Sequence, residues 1–326
     1  MTSDPEVKST VSSPEERALE IPAALIASHA TFFGAAGRAW IDALPELAAE
    51  CTARWGLRRD GAPMCGAVAL VLPVLREDGA AAVLKLQPID AQTIGEPLAL
   101  RAWDGRGAVR LLRHHPDSGA MLLERLDAGR SLAAVADDLV ALQLLSELLA
   151  RLTAVPAPPG LRTLAEEAAE MLGRVPAALA LLPDPAQRRL VRSCAGAVAE
   201  LLPEAGTALL HWDLHYDNVL TRRPGPGSTG ADTWVAIDPK PLAGDPGFEL
   251  LAALHNRWED VVATGDVPGA IRRRFDLMTE VLDTDRERAR GWTLGRILQT
   301  RLWEVETDNA AGHAAADRAI AQVLLS

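Results

Sequence analysis

The 326-residue sequence predicts an α+β fold of two lobes, a small β-rich lobe first and a larger, mostly helical one after it. Three observations carry this. Between Trp55 and Leu123 short apolar runs alternate with turn residues, as in antiparallel strands. From Leu132 onward apolar residues recur at i, i+3, i+4 spacing, as in helices with one buried face. Within that helical region two short apolar runs, Leu209-Leu210 and Trp234 to Ile237, each lead into a polar loop, carrying Asp213 and Asp238 respectively. Strands followed by helices, rather than a regular alternation, read as α+β.

Taken in order, residues 1–20 carry Ser, Thr, Pro and Glu and are expected to be a disordered tail, without the basic and apolar segments of a signal peptide. Residues 21–126 form the expected first lobe and 127–326 the second. Apolar spacing predicts a helix from Gly37 to Trp55. A strand from Trp55 to Arg59, a turn-rich loop from Asp60 to Gly66, and a strand from Ala67 to Leu75 follow. Ala81 to Leu86 returns as a further strand and carries Lys85. Glu96 opens an apolar stretch ending at Trp103, read as a helix. Val109 to Leu112 and Ala120 to Leu123 read as strands joined by a turn from His114 to Gly119, and Glu124 to Asp127 as the connector between lobes. Helices are expected over Leu132–Leu152, Leu161–Leu182 and Pro185–Leu202, with a stiff Pro-rich linker at Val155 to Gly160. Arg223 to Gly230 reads as a hairpin tip, Pro239 to Gly247 as a loop, and Phe248 onward as a last helical block.

Composition narrows the function. A net charge of −11 argues against nucleic-acid binding, which needs a basic face, and is compatible with a cationic ligand. Cys51, Cys65 and Cys194 show no C-x-x-C spacing, so these thiols suggest neither a disulfide framework nor a zinc site. No apolar run approaches the roughly 18 residues of a membrane span, and a cytoplasmic protein that does not engage membranes is expected. Only three of the 33 basic residues are lysines, Lys8, Lys85 and Lys240.

His211-Trp212-Asp213-Leu214-His215-Tyr216-Asp217-Asn218 matches H-x-D-L-x-x-x-N, the catalytic-loop pattern of protein-kinase-like enzymes. The chemistry explains the spacing. One carboxylate orients the attacking hydroxyl and accepts its proton, an amide a few residues on binds magnesium, and a carboxylate on a separate strand completes the metal site. Asp213, Asn218 and Asp238 fit those roles in that order. Two bland readings stand beside it: His, Asp and Asn also cluster in ordinary turns, and His211, Asp213 and His215 form an H-x-D-x-H group that a zinc hydrolase would use.

With Lys85, Glu96, His211 to Asp213, Asn218 and Asp238 assembled, the chain resembles the aminoglycoside phosphotransferase branch of the protein-kinase-like superfamily. Within it, the chain is most similar to the streptomycin 6-kinase and hydroxyurea-resistance group. The resemblance runs from about Gly37 onward. It is carried further by Ala99 to Trp103, Leu122 to Leu126, Val155 to Arg162, Ala236 to Pro241, Gly244 to Phe248 and Gly291 to Leu294.

The resemblance implies a two-lobed kinase-like fold and ATP- and Mg2+-dependent phosphorylation of a hydroxyl on a small cationic antibiotic. That antibiotic is expected to be streptomycin, phosphorylated at its 6-hydroxyl and thereby inactivated. It further implies Asp213 as base, Asn218 and Asp238 as metal ligands, Lys85 with Glu96 on the ATP phosphates, and the backbone at Glu124 and Leu126 against adenine. Glu259, Asp260, Glu304, Glu306 and Asp308, near Trp258 and Trp303, are candidates for the cationic groups of the substrate. Asp245 and Glu249 are assigned to structure, holding the loop or capping the next helix. The expected protein is a monomer or weak dimer. Two departures stand out: no G-x-G-x-x-G lies over the phosphates, where only Gly61 and Gly66 flank the candidate loop, and the second metal motif reads Asp-Pro-Lys instead of Asp-Phe-Gly. Alternatives are a kinase for hydroxyurea, another aminocyclitol or an amino sugar, a metallohydrolase, and a nucleotide-binding pseudokinase.

Overall fold

The computed structural model describes residues 19–223, 234–307 and 313–326. Most of the expected tail, all but the first residue of the expected hairpin tip, and the candidate Asp308 lie outside the described residues. The elements run in chain order as α1 (Ala23–Trp55), β1 (Arg58–Arg59), β2 (Met64–Cys65), β3 (Leu70–Leu75), β4 (Ala81–Leu86), α2 (Glu96–Trp103), β5 (Leu111–His115) and β6 (Ala120–Glu124). Next come β7 (Leu126–Ser131), α3 (Asp138–Thr153), α4 (Leu164–Leu181), α5 (Pro185–Leu201), β8 (Ala208–Leu210), β9 (Val219–Arg222), β10 (Trp234–Ala236) and β11 (Leu242–Gly244). The chain closes with α6 (Leu250–His255), α7 (Trp258–Ala263), α8 (Val267–Val281), α9 (Arg286–Thr307) and α10 (Ala314–Leu324).

Contacts divide the chain into two units. The first comprises residues up to Asp90 together with Leu111–Arg125. Its antiparallel sheet has the order β1-β3-β4-β6-β5, with β2 also on β3. β4 is central, paired on both sides, so its alternate residues Ala82, Leu84 and Leu86 are fully buried. They share a core with Leu70, Leu72 and Val74 of β3 and with Leu25, Ile41, Leu44, Ala48 and Cys51 of α1. Truncating a buried leucine such as Leu84 to alanine costs on the order of 2–5 kcal/mol, because both the transfer energy and a cavity are lost. α1 starts well before the expected Gly37 and is broken at Gly34, where φ is 56° and ψ −123°. The helix ends at Trp55 as expected, the strand expected over Trp55 to Arg59 is shortened to Arg58–Arg59, and Gly56 closes the helix in the left-handed conformation that glycine adopts without a Cβ clash.

The second unit comprises Ala91–Arg110 and Leu126–Ser326. Segment 91–110, placed in the first lobe on sequence grounds, groups here: the buried Trp103 donates its indole N–H to Leu152 O at 3.0 Å, and Val109 N–H bonds Ala236 O at 2.9 Å. Local signals explain the helix starts. Asp137 caps α3, which corrects the expected start at Leu132, where a single 3-10 turn forms instead. Thr163 and Glu166 form a reciprocal capping box on α4, and Asp184 with Pro185 opens α5. α9 packs on α5 at close range: a Cβ on Gly291 would sit 2.5 Å from Leu201 Cδ1. Two short antiparallel pairs, β9 with β10 and β8 with β11, are embedded among these helices, and β7 joins β9. β11 lies within the stretch expected to be a loop.

Candidate active site

The two β pairs frame two adjacent loops. Residues 211–218 leave β8 and enter β9; residues 237–241 leave β10 and enter β11. Val219 pairs with Ala236 and Leu210 with Leu242, so both loops emerge from paired strand ends. Backbone bonds tie them together: Ile237 N–H to Asn218 O at 2.9 Å and Lys240 N–H to His211 O at 2.9 Å. This brings the Asp213 loop and the Asp238 loop, distant in sequence, into one place.

Both loops contain a non-glycine residue in the left-handed region, Trp212 at φ 66° and Asp238 at φ 61°. Such a conformation costs roughly 1–3 kcal/mol at each residue and persists only where surroundings over-determine it. For Trp212 they do. The buried Glu249 carboxylate accepts the backbone N–H groups of His211 and Trp212, the latter at 2.9 Å. Arg296 donates to Trp212 O at 3.2 Å, and its guanidinium and that of Arg162 lie 5.2 and 4.9 Å from the Trp212 ring. Asp245 caps the turn that follows, accepting from Gly247 N–H at 2.8 Å, and pairs with Arg288. The roles foreseen for Glu249 and Asp245, holding the loop and capping, match these bonds.

His211 is fully buried, and burial pushes its imidazole down to about 4. The neutral ring has one acceptor and one donor nitrogen, and both are used: Nδ1 accepts from Asp213 N–H at 3.3 Å and Nε2 donates to Ile237 O at 2.9 Å. No ring nitrogen is left for a metal, which removes the H-x-D-x-H zinc reading. Among the described residues no three or more His, Cys, Asp or Glu side chains gather as a metal-binding group.

Asp213 is partly buried in this cluster. Burial would raise it, but the charge and hydrogen bond of Lys240, then His215 and His211, outweigh burial and hold it below the usual carboxylate range. Lys240 Nζ lies 2.9 Å from Asp213 Oδ2. Asn218 donates its amide Nδ2 to Asp213 O at 2.9 Å, which leaves its carbonyl oxygen as a donor for a cation. An amide oxygen here and a carboxylate on the neighbouring Asp238 loop form a hard-oxygen set that suits magnesium, which keeps much of its water and takes few protein ligands.

The other expected site residues fall as follows. Lys85 is on central β4 of the first unit, 4% exposed, opposite Val71 and Met121. Glu124 ends β6 in the same unit. Glu96 opens α2 in the second unit and is 1% exposed, and Leu126 starts β7. Glu259 and Asp260 are exposed in the first turn of α7. Glu304 is paired with Arg301 at 2.5 Å, and Glu306 is held by both Nε and Nη2 of Arg174. Lys240, Arg296 and the backbone geometry of Trp212 were not singled out from sequence. For Lys240 a signal existed, its being one of three lysines, beside Asp238 and between two prolines.

The family described as aminoglycoside/hydroxyurea antibiotic resistance kinase matches residues 54–307. A streptomycin 6-kinase of Streptomyces glaucescens is 56% identical over 90% of this chain and 93% of its own length. A hydroxyurea phosphotransferase of Kitasatospora aureofaciens is 52% identical over 94% of this chain and 86% of its own. Among solved structures, a choline/ethanolamine kinase family protein from Mesorhizobium loti superposes with a TM-score of 0.55, covering 86% of this chain and 95% of that one. At 16% identity that likeness speaks for the fold alone, which is the protein-kinase-like α+β fold expected from the sequence. On the extent of the family match and the identity to these relatives, the chain belongs to the aminoglycoside/hydroxyurea antibiotic resistance kinase family.

Proposed function

We propose that the chain transfers the γ-phosphoryl group of ATP to the 6-hydroxyl of streptomycin, inactivating the antibiotic. The observation that carries this reading is the Asp213 carboxylate, held at a loop fixed by Glu249, in a chain 56% identical to a streptomycin 6-kinase over 90% of its length. In this reading Asp213 receives the hydroxyl proton, Asn218 and Asp238 hold magnesium, and Lys85 grips the phosphates with Glu96 behind it. The backbone at Glu124 and Leu126 meets adenine. Magnesium when bound neutralises charge on the phosphates; the chain's own contribution is orientation and a preorganised charge environment. Streptomycin carries two guanidinium groups, for which carboxylates are the natural partners. Glu259 and Asp260 are exposed and available, whereas Glu304 and Glu306 would have to exchange an arginine of the chain for the substrate. Asp308 stays a candidate of the same chemical kind. The protein acts in the cytoplasm as a monomer or weak dimer, without nucleic acid.

A second reading has a specific observation behind it: the 52% identity to a hydroxyurea phosphotransferase. One experiment tests both. The purified chain is incubated with MgATP and, separately, streptomycin, hydroxyurea and other aminocyclitols, and products are weighed by mass spectrometry. Addition of one phosphoryl group to streptomycin at the greatest kcat/KM supports the first reading. Preference for hydroxyurea supports the second, and transfer to no acceptor refutes both.

A further inference from the structure

Lys240 has no part in the reaction as described so far, yet it touches the proposed base. Its ammonium is 2.9 Å from Asp213 Oδ2, and Oδ1 is the second oxygen of that carboxylate. The lysine is mounted rigidly: buried Pro239 and Pro241 flank it and restrict the backbone on each side, and its own N–H bonds His211 O. Its side chain is 38% exposed and that of Asp213 27%, so the pair is partly open to solvent. An ion pair this accessible contributes at most about 1 kcal/mol to stability, so folding alone gives little reason for it. The acidic side chain it meets is the one that receives the hydroxyl proton in the proposed reaction.

We infer that Lys240 is a positioning residue for phosphoryl transfer, a role that rests on the kinase reading above. By holding Oδ2 it fixes the plane of the Asp213 carboxylate and leaves Oδ1 to the acceptor hydroxyl. In the transfer, the hydroxyl oxygen forms its bond to the γ-phosphorus as the bond from that phosphorus to the β,γ-bridging oxygen breaks. ADP leaves with the electron pair, and the hydroxyl proton passes to Oδ1 and then to water. Lys240 places a fixed positive charge beside this event, offsetting the charge gathered between the carboxylate and the phosphates. In the Asp-Pro-Lys motif, the third position thus has a function of its own.

The test compares the full-length wild type, Lys240→Met and Lys240→Arg with MgATP and streptomycin, or hydroxyurea if that is the acceptor used. Lys240→Met is expected to lower kcat by ~100-fold, the loss typical of one preorganised electrostatic group. KM for the acceptor and affinity for MgATP should stay within about 3-fold, since the interaction acts on the transferring state. Lys240→Arg, which keeps the charge, should recover at least about tenfold of the lost rate. Wild-type kcat in Lys240→Met overturns the proposal. So does a joint loss of MgATP affinity and melting temperature, which assigns the lysine to folding. A wild type that phosphorylates neither acceptor overturns the kinase reading and this inference with it, and is told apart because it appears before any substitution is made.

Discussion

Glu249→Gln separates two buried titrations that oppose one another beneath the loop. Burial pushes Glu249 from 4.5 up to about 7, against the His211 and Trp212 amides that favour its charge. Burial pushes His211 from 6.5 down to about 4. An acid raised in the folded state binds more protons folded than unfolded, so the stability from Glu249 is full below 4.5 and is lost as pH rises through about 7. A base depressed in the folded state binds fewer, so the stability from His211 is full above 6.5 and is lost as pH falls through about 4. At about 1.4 kcal/mol per pH unit each spans roughly 3 kcal/mol, with opposite slopes where the windows overlap. The wild type should therefore be nearly flat there as far as this pair is concerned.

In Glu249→Gln only the histidine remains. Its stability should climb by roughly 1.4 kcal/mol per pH unit between about pH 4 and 6.5, on top of a pH-independent cost of about 1–2 kcal/mol for the lost acceptor. Urea unfolding followed by tryptophan fluorescence across this range measures it, and subtracting the wild-type profile removes every titration the two proteins share. The variant-minus-wild-type difference should rise by roughly 3 kcal/mol from acid to neutral pH. A difference constant to within about 0.5 kcal/mol would refute the reasoning, because Glu249 would then titrate alike in the folded and unfolded chains.

Asp213→Asn should retain MgATP binding and lose ~10²–10⁴ in kcat, the range of a positioned acid–base group; near-normal turnover excludes the role. Lys85→Ala should weaken MgATP by about 10–100-fold in calorimetry, as loss of a charge-assisted hydrogen bond predicts, and unchanged affinity would remove Lys85 from the phosphate site. Trp103→Phe deletes the indole bond to Leu152 O and should shift the urea midpoint by about 1 kcal/mol in stability, since that carbonyl keeps Val155 N–H as a partner. Arg174→Ala breaks an exposed pair with Glu306 and should cost no more than about 1 kcal/mol; a larger loss would mean that Arg174 packs as well as pairs.

Sequence showed most clearly the elements whose identity is written in local chemistry. β4 falls on the run Ala81 to Leu86 and α2 on the apolar stretch opened by Glu96, as expected, and Pro185 marks the first residue of α5. It failed where tertiary partners decide. β11 is three residues between a proline and a turn; it is a strand because β8 lies beside it, not because Leu242-Ala243-Gly244 prefers extension. His114 and His115 looked like turn residues, but pairing with Met121 and Ala120 draws them into β5. The first half of α1 was missed because its apolar residues lose a single helical phase at Gly34.

The same division runs through the candidate site. Asp213, Asn218 and Asp238 could be named because residue type and spacing are visible in one dimension. The supports of the site could not, because each depends on backbone conformation. Nothing in the letters His-Trp-Asp says that the tryptophan adopts φ 66°, yet that turn points the loop amides at Glu249 and the carbonyl of Trp212 at Arg296. A strained residue in this position needs anchors from outside the loop, and α9 and the turn after β11 provide them from well downstream. The pairing of β8 with β11 then fixes Lys240 opposite His211, and so beside Asp213. A one-residue slip in that pairing would turn alternate side chains to the other face and separate the ammonium from the carboxylate. The chemistry of the motif is local, but its geometry is borrowed from strands and helices that follow it in the chain.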